Sequence, residues 1–313
     1  MQLIRGIHNL SAEHFGSVAT IGNFDGVHLG HSEIIKRLKR NADEHGVPST
    51  VIVFEPQPAE FFGRGRVPPR LSRFREKFEL IEERGVDRLL VLPFTKKLSH
   101  YSPQQFVEQI LVEKLGIKTL IIGDDFRFGS DRGGDFSLLQ RLGQQHAFTI
   151  EQMPPFLFIG KRISSTYIRK LLRHGYMKEA IRMLGHPYWM EGVVVEGHKQ
   201  GREWGFPTAN LDMHRLRSPL AGIFSVRVHG LGEGERLGVA YIGSRPIIDD
   251  PRFVLEVHLF DFDEDIYGRR IRVEFCDKIR DDMNFDSFEL MAEQIRRDCE
   301  AAREKLMFEF HAA

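Results

Sequence analysis

The chain has 313 residues, of which 42% are hydrophobic and 28% charged, a composition that suits a soluble globular protein of two domains and excludes a disordered or fibrous chain. Lys plus Arg (44) balances Asp plus Glu (44), so no global basic field draws the protein to nucleic acid, and no such partner is expected. The two cysteines, Cys276 and Cys299, lie in no CxxC or metal-type cluster, which argues against a disulfide framework or a structural zinc and suits a reducing compartment.

The first residues, "MQLIRGIHNL", lack the apolar stretch and small-residue cleavage site of a signal peptide. Apolar runs such as "LLVLPF" (89–94) are far shorter than the roughly 20 residues that cross a bilayer. A cytoplasmic protein with no membrane contact is expected.

In chain order, "SVATIG" (17–22) reads as a strand and "GHSEIIKRLKRNADEHG" (30–46) as an amphipathic helix stopped by Gly46. "STVIVFEP" (49–56) reads as a buried strand closed by Pro56. The basic segment "RGRVPPRLSRFREK" (64–77) reads as a solvated loop leading into a helix at 72–85. A strand at 86–94 follows, then a helix at 102–116 with Ser102 as N-cap and Pro103 at its first position, then a strand at 117–123. Strands alternating with helices predict a parallel sheet covered on both faces, with ligands held beyond the carboxyl ends of the strands. "GNFDG", "FEPQP" and "GDDFRFG" all fall at such ends.

Near residue 186 the rhythm changes to short β-type runs separated by Gly and Asp turns, which predicts a compact antiparallel barrel. A closing amphipathic helix from about 286 to 308 carries Phe288, Met291, Ile295 and Cys299 at helical spacing, so Cys299 reads as a core residue. Domains of 1–184 and 185–313 are expected.

Two stretches carry chemistry in the first half. In "GNFDGVHLGH" (22–31), Gly22, Gly26 and Gly30 allow close approach of backbone to ligand, and the helix that starts near Gly30 offers free N–H groups to an anion. His28 and His31 add side-chain donors at that entrance. Their spacing lacks the i, i+4 geometry of helical zinc ligands, and no Ser or Cys nucleophile sits between them. Direct transfer to a phosphate acceptor fits, because such transfers need positioning and charge stabilisation more than covalent help. In "KRISSTYIRKLL" (161–172), Ser164, Ser165 and Thr166 precede a helix-like run, and Arg169 lies one turn in. This reads equally as a second anion site or a capped surface helix.

Together these motifs resemble the signature pair of the HxGH nucleotidylyltransferases. More narrowly they resemble the adenylyltransferase half of the bacterial bifunctional riboflavin kinase/FMN adenylyltransferase (FAD synthetase) family, with "FEPQP" and "GDDFRFGSDRGGD" matching two further blocks in order. The resemblance implies a Rossmann-like α/β domain that transfers AMP from ATP to FMN and releases pyrophosphate. It implies ATP contacts from Gly22, Asn23, Phe24, Asp25, His28, Gly30, His31, Ser164, Ser165, Thr166 and Arg169. It implies flavin contacts from Asp125, Phe126 and Phe128.

In the second half, "GVVVEGHKQGREWGFPTANL" (192–211) is glycine-rich but matches neither a Walker loop nor a Rossmann fingerprint. Thr208 and Asn210 would share a face in an extended segment, and such neutral oxygens suit Mg²⁺ shared with nucleotide phosphates. In "FVLEVHLFDF", Glu256 alternates onto the face opposite Leu255, Val257 and Leu259, as either a surface carboxylate or a general base. "GFPTANL" is similar to the riboflavin kinase GxPTAN motif, which implies a small six-stranded Greek-key barrel and transfer of the ATP γ-phosphate to the riboflavin 5′-hydroxyl. By that resemblance Gly197, Gly201, Gly205, Pro207, Thr208 and Asn210 bind ATP, Thr208 and Asn210 hold Mg²⁺, and Glu256 is the base. "AYIGSRPII" (240–248) departs from the family, with Tyr241 and Ile248 where relatives commonly have Asn and Thr. The implied ligands are riboflavin, FMN and ATP. Other readings are transfer to a different phosphate acceptor and a flavin-binding regulator without turnover. The kinase-like half disfavours the first, and the presence of Glu256 disfavours the second.

Overall fold

The computed structural model describes residues 1–63, 67–197, 205–215, 217–244 and 253–310. They form two compact units, Met1–Pro68 with Arg73–Ser164, and Pro69–Ser72 with Ser165–Ala313.

The first unit is built on six parallel strands: β1 (Gln2–Arg5), β2 (Ser17–Ile21), β3 (Ser49–Glu55), β4 (Arg88–Pro93), β5 (Ile117–Gly123) and β6 (Thr149–Met153). Their spatial order is β1-β4-β3-β2-β5-β6. Every residue of β2 is buried, as a central strand covered on both faces requires. The chain lays β3 and β4 on one side of β2 and returns to place β5 on the other. The β2/β5 crevice is therefore the switch point at which such sheets take ligands. The expected elements are present. The edge strand β1, the strand β6 and the helix before it were not read from the sequence.

The helices are α1 (Leu29–His45), α2 (Pro58–Phe62), α3 (Phe74–Glu82), α4 (Lys96–Ser99), α5 (Pro103–Phe106) and α6 (Phe136–His146). Gly46 ends α1 in the left-handed region, φ 64°. Ser102 caps α5, accepting from the Gln105 N–H at 3.1 Å. The helix expected over 102–116 is not regular: after α5 it widens into a π-helical turn, Val107–Val112. Phe106, Val107, Ile110, Leu111 and Leu115 along it are all buried in one core cluster.

Within the basic segment, residues 67–77 are not the solvated loop expected. Leu71, Ser72, Glu76 and Lys77 are all buried. Two causes act. Glu76 and Lys77 lie one turn before Leu80 and Ile81, on the apolar face of α3. Pro69–Ser72 is a strap buried in the second unit, where Tyr188 Oη donates to the Leu71 carbonyl at 3.1 Å and Arg215 to that of Arg70 at 2.9 Å.

A short hairpin, β7 (Leu157–Phe158) with β8 (Lys161–Arg162), closes the first unit. The second unit opens with α7 (Ser165–Arg173) and α8 (Met177–Leu184). Its barrel comprises β9 (Tyr188–Val195), β10 (Ala209–Asp212), β11 (Gly222–His229), β12 (Arg236–Ser244), β13 (Phe253–Leu259) and β14 (Arg270–Arg280). It is closed, in the order β10-β13-β12-β11-β14-β9, with every pairing antiparallel. β14 returns beside β11 after the β11-β12-β13 meander, the expected Greek-key arrangement. Leu255, Val257, Phe224 and Phe275 fill the interior. The closing helix α9 (Phe288–Phe310) buries Cys299, Ala302 and Leu306 against Ile223, Val239 and Phe260 on the barrel's outer face. Cys299 is thus a core residue, and burial raises its thiol pKa to about 11. Phe288, at the exposed start of α9, does not join that core.

Candidate active sites

The first site grows from the end of β2. The loop 22–28 reverses tightly, with Phe24 (φ 47°), Gly26 (φ 80°) and Val27 (φ 38°) in the left-handed region. A β-branched residue rarely adopts that backbone, so the surroundings must hold it. They do: Phe24, Asp25 and Val27 are all buried. Gly22 packs closely here: a Cβ would stand 3.1 Å from the ring of the buried Phe24, which would have to shift to admit it.

The loop delivers His28 to the N-cap of α1, where its Nδ1 accepts from the His31 N–H at 3.4 Å. The two imidazoles stack at 3.7 Å between centroids and 13° between planes, with Phe24 4.7 Å from His31. His31 Nδ1 is enclosed and has no hydrogen-bond partner among the described residues. Burial holds the His31 pKa well below the usual imidazole range, and His28, Lys77 and Arg84 depress it further. His31 is therefore neutral at pH 7 and sits in a positive field at a helix N-terminus. That field attracts an anion, and an arriving anion would raise the proton affinity of His31.

Beside the loop, a cavity of about 650 Å³ opens at the carboxyl ends of the strands. Gly22, Asn23, Asp125, Phe126 and Phe128 all line it, so the residues read separately as nucleotide and flavin contacts share one wall. Phe54, Phe62, Phe94 and Phe106 extend the aromatic lining. Phe126 and Phe128 stack at 5.6 Å, a surface that suits a flat ring system. Asp125 is 3.2 Å from Arg162, which also donates to Asp124 at 2.7 Å.

Ser164 ends the first unit, whereas Ser165 and Thr166 begin α7 in the second. Arg169 Nε donates to the Pro69 carbonyl of the strap at 2.7 Å. The sequence reading missed Lys77 and Arg84 as part of the charge around the histidines. The signal for Lys77 was its place one turn before Leu80 and Ile81.

The second site lies on the barrel. Asn210 of β10 and Tyr241 of β12 flank Glu256 of β13 in direct cross-strand register. Directly opposed residues share a face, so all three line the outer face, opposite the interior Leu211, Leu255 and Ile242. The alternation read for β13 is therefore real. Tyr241 Oη donates to Asp282 at 3.0 Å. Gly197 packs against the Asn210 amide, where a Cβ would come within 2.2 Å of Nδ2. Thr208 and Pro207 line a separate pocket of about 360 Å³ with Asp263, Glu264 and Tyr267, a lining that Glu256 does not join. Gly205 takes φ 79° in the turn before Pro207. Gly201 and Ile248 lie outside the described residues.

A switch-point sheet with paired imidazoles at a helix mouth, carried with a separate barrel bearing a carboxylate–amide row, defines a transferase with two distinct centres. Family models give each centre its kind: "FAD synthetase" matches residues 10–167 and "Riboflavin kinase" residues 184–306. The chain is 47% identical to the bifunctional riboflavin kinase/FMN adenylyltransferase of Pseudomonas fluorescens, covering 97% of each chain. It is 46% identical to that of Escherichia coli K12, again over 97% of each, and 44% identical to that of Haemophilus influenzae over 97% of this chain and 98% of that one. The chain belongs to the bifunctional riboflavin kinase/FMN adenylyltransferase family. A solved structure described as a macrolide-efflux protein from Streptococcus pneumoniae is also similar, at 28% identity and TM-score 0.81 over 97% of this chain and 99% of that one. Among the described residues no helix is long and apolar enough to cross a membrane.

Proposed function

We infer that the chain makes FAD in two steps. It phosphorylates riboflavin to FMN with ATP, and it adenylylates FMN to FAD with release of pyrophosphate. The single observation that carries this reading is the presence, in one chain of this family, of two dissimilar centres: an anion-attracting imidazole pair at the mouth of α1 and a carboxylate flanked by an amide on a barrel.

In the adenylyl transfer, His28, His31 and the first N–H groups of α1 steady charge on the ATP phosphates while an FMN phosphate oxygen attacks the α-phosphorus. Ser164, Ser165, Thr166 and Arg169 help hold the triphosphate. Asn23, Asp125, Phe126 and Phe128 place the nucleotide and the flavin in the aromatic cavity. No enzyme nucleophile is needed, because the acceptor already carries a nucleophilic oxygen.

In the kinase step Glu256 takes the proton of the riboflavin 5′-hydroxyl as that oxygen attacks the γ-phosphorus. Gly197, Gly201, Gly205 and Pro207 shape the ATP loop. Mg²⁺ would fit the donor set, since Thr208 and Asn210 offer neutral oxygens of the kind a hard cation takes. Held there, it would supply charge neutralisation at the nucleotide phosphates. The catalytic domains are 1–184 and 185–313. Work in the cytoplasm suits the two buried free thiols, Cys276 and Cys299.

The test is incubation with riboflavin, ATP and Mg²⁺ followed by chromatographic separation of flavins. FMN and then FAD are expected. The appearance of neither overturns the reading.

A further inference from the structure

We propose that Arg84 is a positioning residue for adenylyl transfer: its guanidinium ties the left-handed turn before α1 to the first turn of α1 and so fixes the attitude of the His28–His31 pair. The proposal rests on the reading of that pair as the phosphate contact.

Each Arg84 nitrogen has an acceptor. Nη2 donates to the Val27 carbonyl at 3.1 Å, Nε to Ser32 Oγ at 2.9 Å, and Nη1 to the Leu80 carbonyl at 2.5 Å. The first two acceptors bracket the histidine motif, one on each side. The third is a carbonyl of the last turn of α3, a turn that leaves carbonyls without intrahelical donors. One planar fork thus joins the end of α3 to the entry of α1.

The acceptor at Val27 matters because its φ is 38°, between Gly26 at 80° and the N-cap His28. A β-branched residue leaves that region unless its peptide is held. Relaxing Val27 would rotate the peptide that carries His28. The ring stack, 3.7 Å between centroids, and the His28 Nδ1 acceptor for the His31 N–H both depend on that peptide. Ser32 Oγ also donates to the His28 carbonyl at 3.4 Å, so the fork reaches the N-cap residue by two routes. Arg84 in addition contributes, with His28 and Lys77, to the positive field that keeps His31 neutral. A lysine would keep that charge and lose the planar fork.

The test compares Arg84→Met, Arg84→Lys and Ser32→Ala in the full chain. FMN-to-FAD and riboflavin-to-FMN rates are measured on the same preparations, with the His31 titration followed by NMR on histidine-labelled protein. For Arg84→Met we expect kcat of FAD formation to fall ten- to a hundredfold, KM for FMN to change less than threefold, and the kinase rate to stay within twofold. Arg84→Lys should lose kcat while His31 still titrates low, and Arg84→Met should let it titrate higher. Ser32→Ala, which cuts one arm, should lose three- to tenfold.

Full activity in Arg84→Met overturns the proposal, as does full rescue by lysine, which would make charge alone the cause. A parallel fall of both activities in Arg84→Met with an unaffected Ser32→Ala also overturns it, leaving Arg84 a purely structural role. His28→Ala is run alongside. If it abolishes FAD formation while Arg84→Met does not, only the role of Arg84 fails. If His28→Ala keeps FAD formation, the reading of the histidine pair fails instead.

Discussion

The two units solve the same problem, holding a nucleotide phosphate near an acceptor oxygen, with opposite structural means. In the first unit the polar groups sit on loops after strands, and a helix terminus and a left-handed turn aim them. In the barrel the proposed base and its neighbours sit within strands, where cross-strand register sets Asn210, Glu256 and Tyr241 in a row across β10, β13 and β12, with Thr208 just before β10. A loop site can change residue by residue but depends on backbone that must be held. A register site needs no strained backbone but fails as a whole if one strand slips, because a one-residue shift exchanges the two faces.

The sharpest way to break this division is Glu256→Gln. FMN formation should fall by two to four orders of magnitude, the usual scale for removing a general base, while FMN-to-FAD conversion continues. Paired rate measurements on one preparation check it. The reciprocal change, His28→Ala with His31→Ala, should lower FAD formation about 10²- to 10³-fold, the scale of a lost charge-stabilising donor, and spare FMN formation. If either variant loses both activities while folded, the two centres are not independent.

A finer comparison uses glycine. Gly197→Ala pushes a Cβ into the Asn210 amide at 2.2 Å and should weaken the kinase step about tenfold or more, seen as a raised KM for ATP. At Gly30 a Cβ would meet the His28 ring at 3.3 Å, a contact that a side chain relieves by a small tilt, so Gly30→Ala should cost adenylylation less.

Acid should also separate the units. His31 titrates below the usual imidazole value of 6.5, so as pH falls below that value the unfolded chain takes up a proton that the folded one resists. The His31 contribution to stability therefore declines with acidification, by at most about 1.4 kcal/mol per pH unit, from 6.5 down to its depressed folded value. Thermal unfolding at pH 7.5 and 5.5 should show a smaller acid loss for His31→Gln than for the parent chain. The smallest effect concerns Cys299. With its thiol near pKa 11 and buried, it should resist labelling by a thiol reagent at pH 8 until denaturant is added.

Most of the fold was legible because its signals are local. Alternating apolar runs and capped helices gave the parallel sheet, and evenly spaced short strands gave the barrel. Gly46 and Ser102 mark helix ends by their own backbone and side-chain chemistry. The chemistry of the sites was legible where a motif is contiguous, as in 22–31 and 205–211. What escaped depends on contacts distant in sequence. Lys77, on α3, and Arg84, in the turn that follows it, reach the His28–His31 region from about 50 residues on, and a run of basic residues looks solvated until its apolar neighbours are seen to be buried. The π-helical widening at Val107–Val112 has no local marker either, since Phe106 to Leu115 fits a regular helix equally well on paper.

The strap Pro69–Ser72 bears on how such two-activity chains can be recombined. Its carbonyls receive Tyr188, Arg215 and Arg169, so the second unit is completed by four residues encoded nearly a hundred positions before its main body. A single crossover after the α/β half would therefore move the barrel without its own strap. Such a chimera would pair these donors with a foreign strap, and compatibility at 69–72 should be read in the stability of the graft, at about 1 kcal/mol for each hydrogen bond lost.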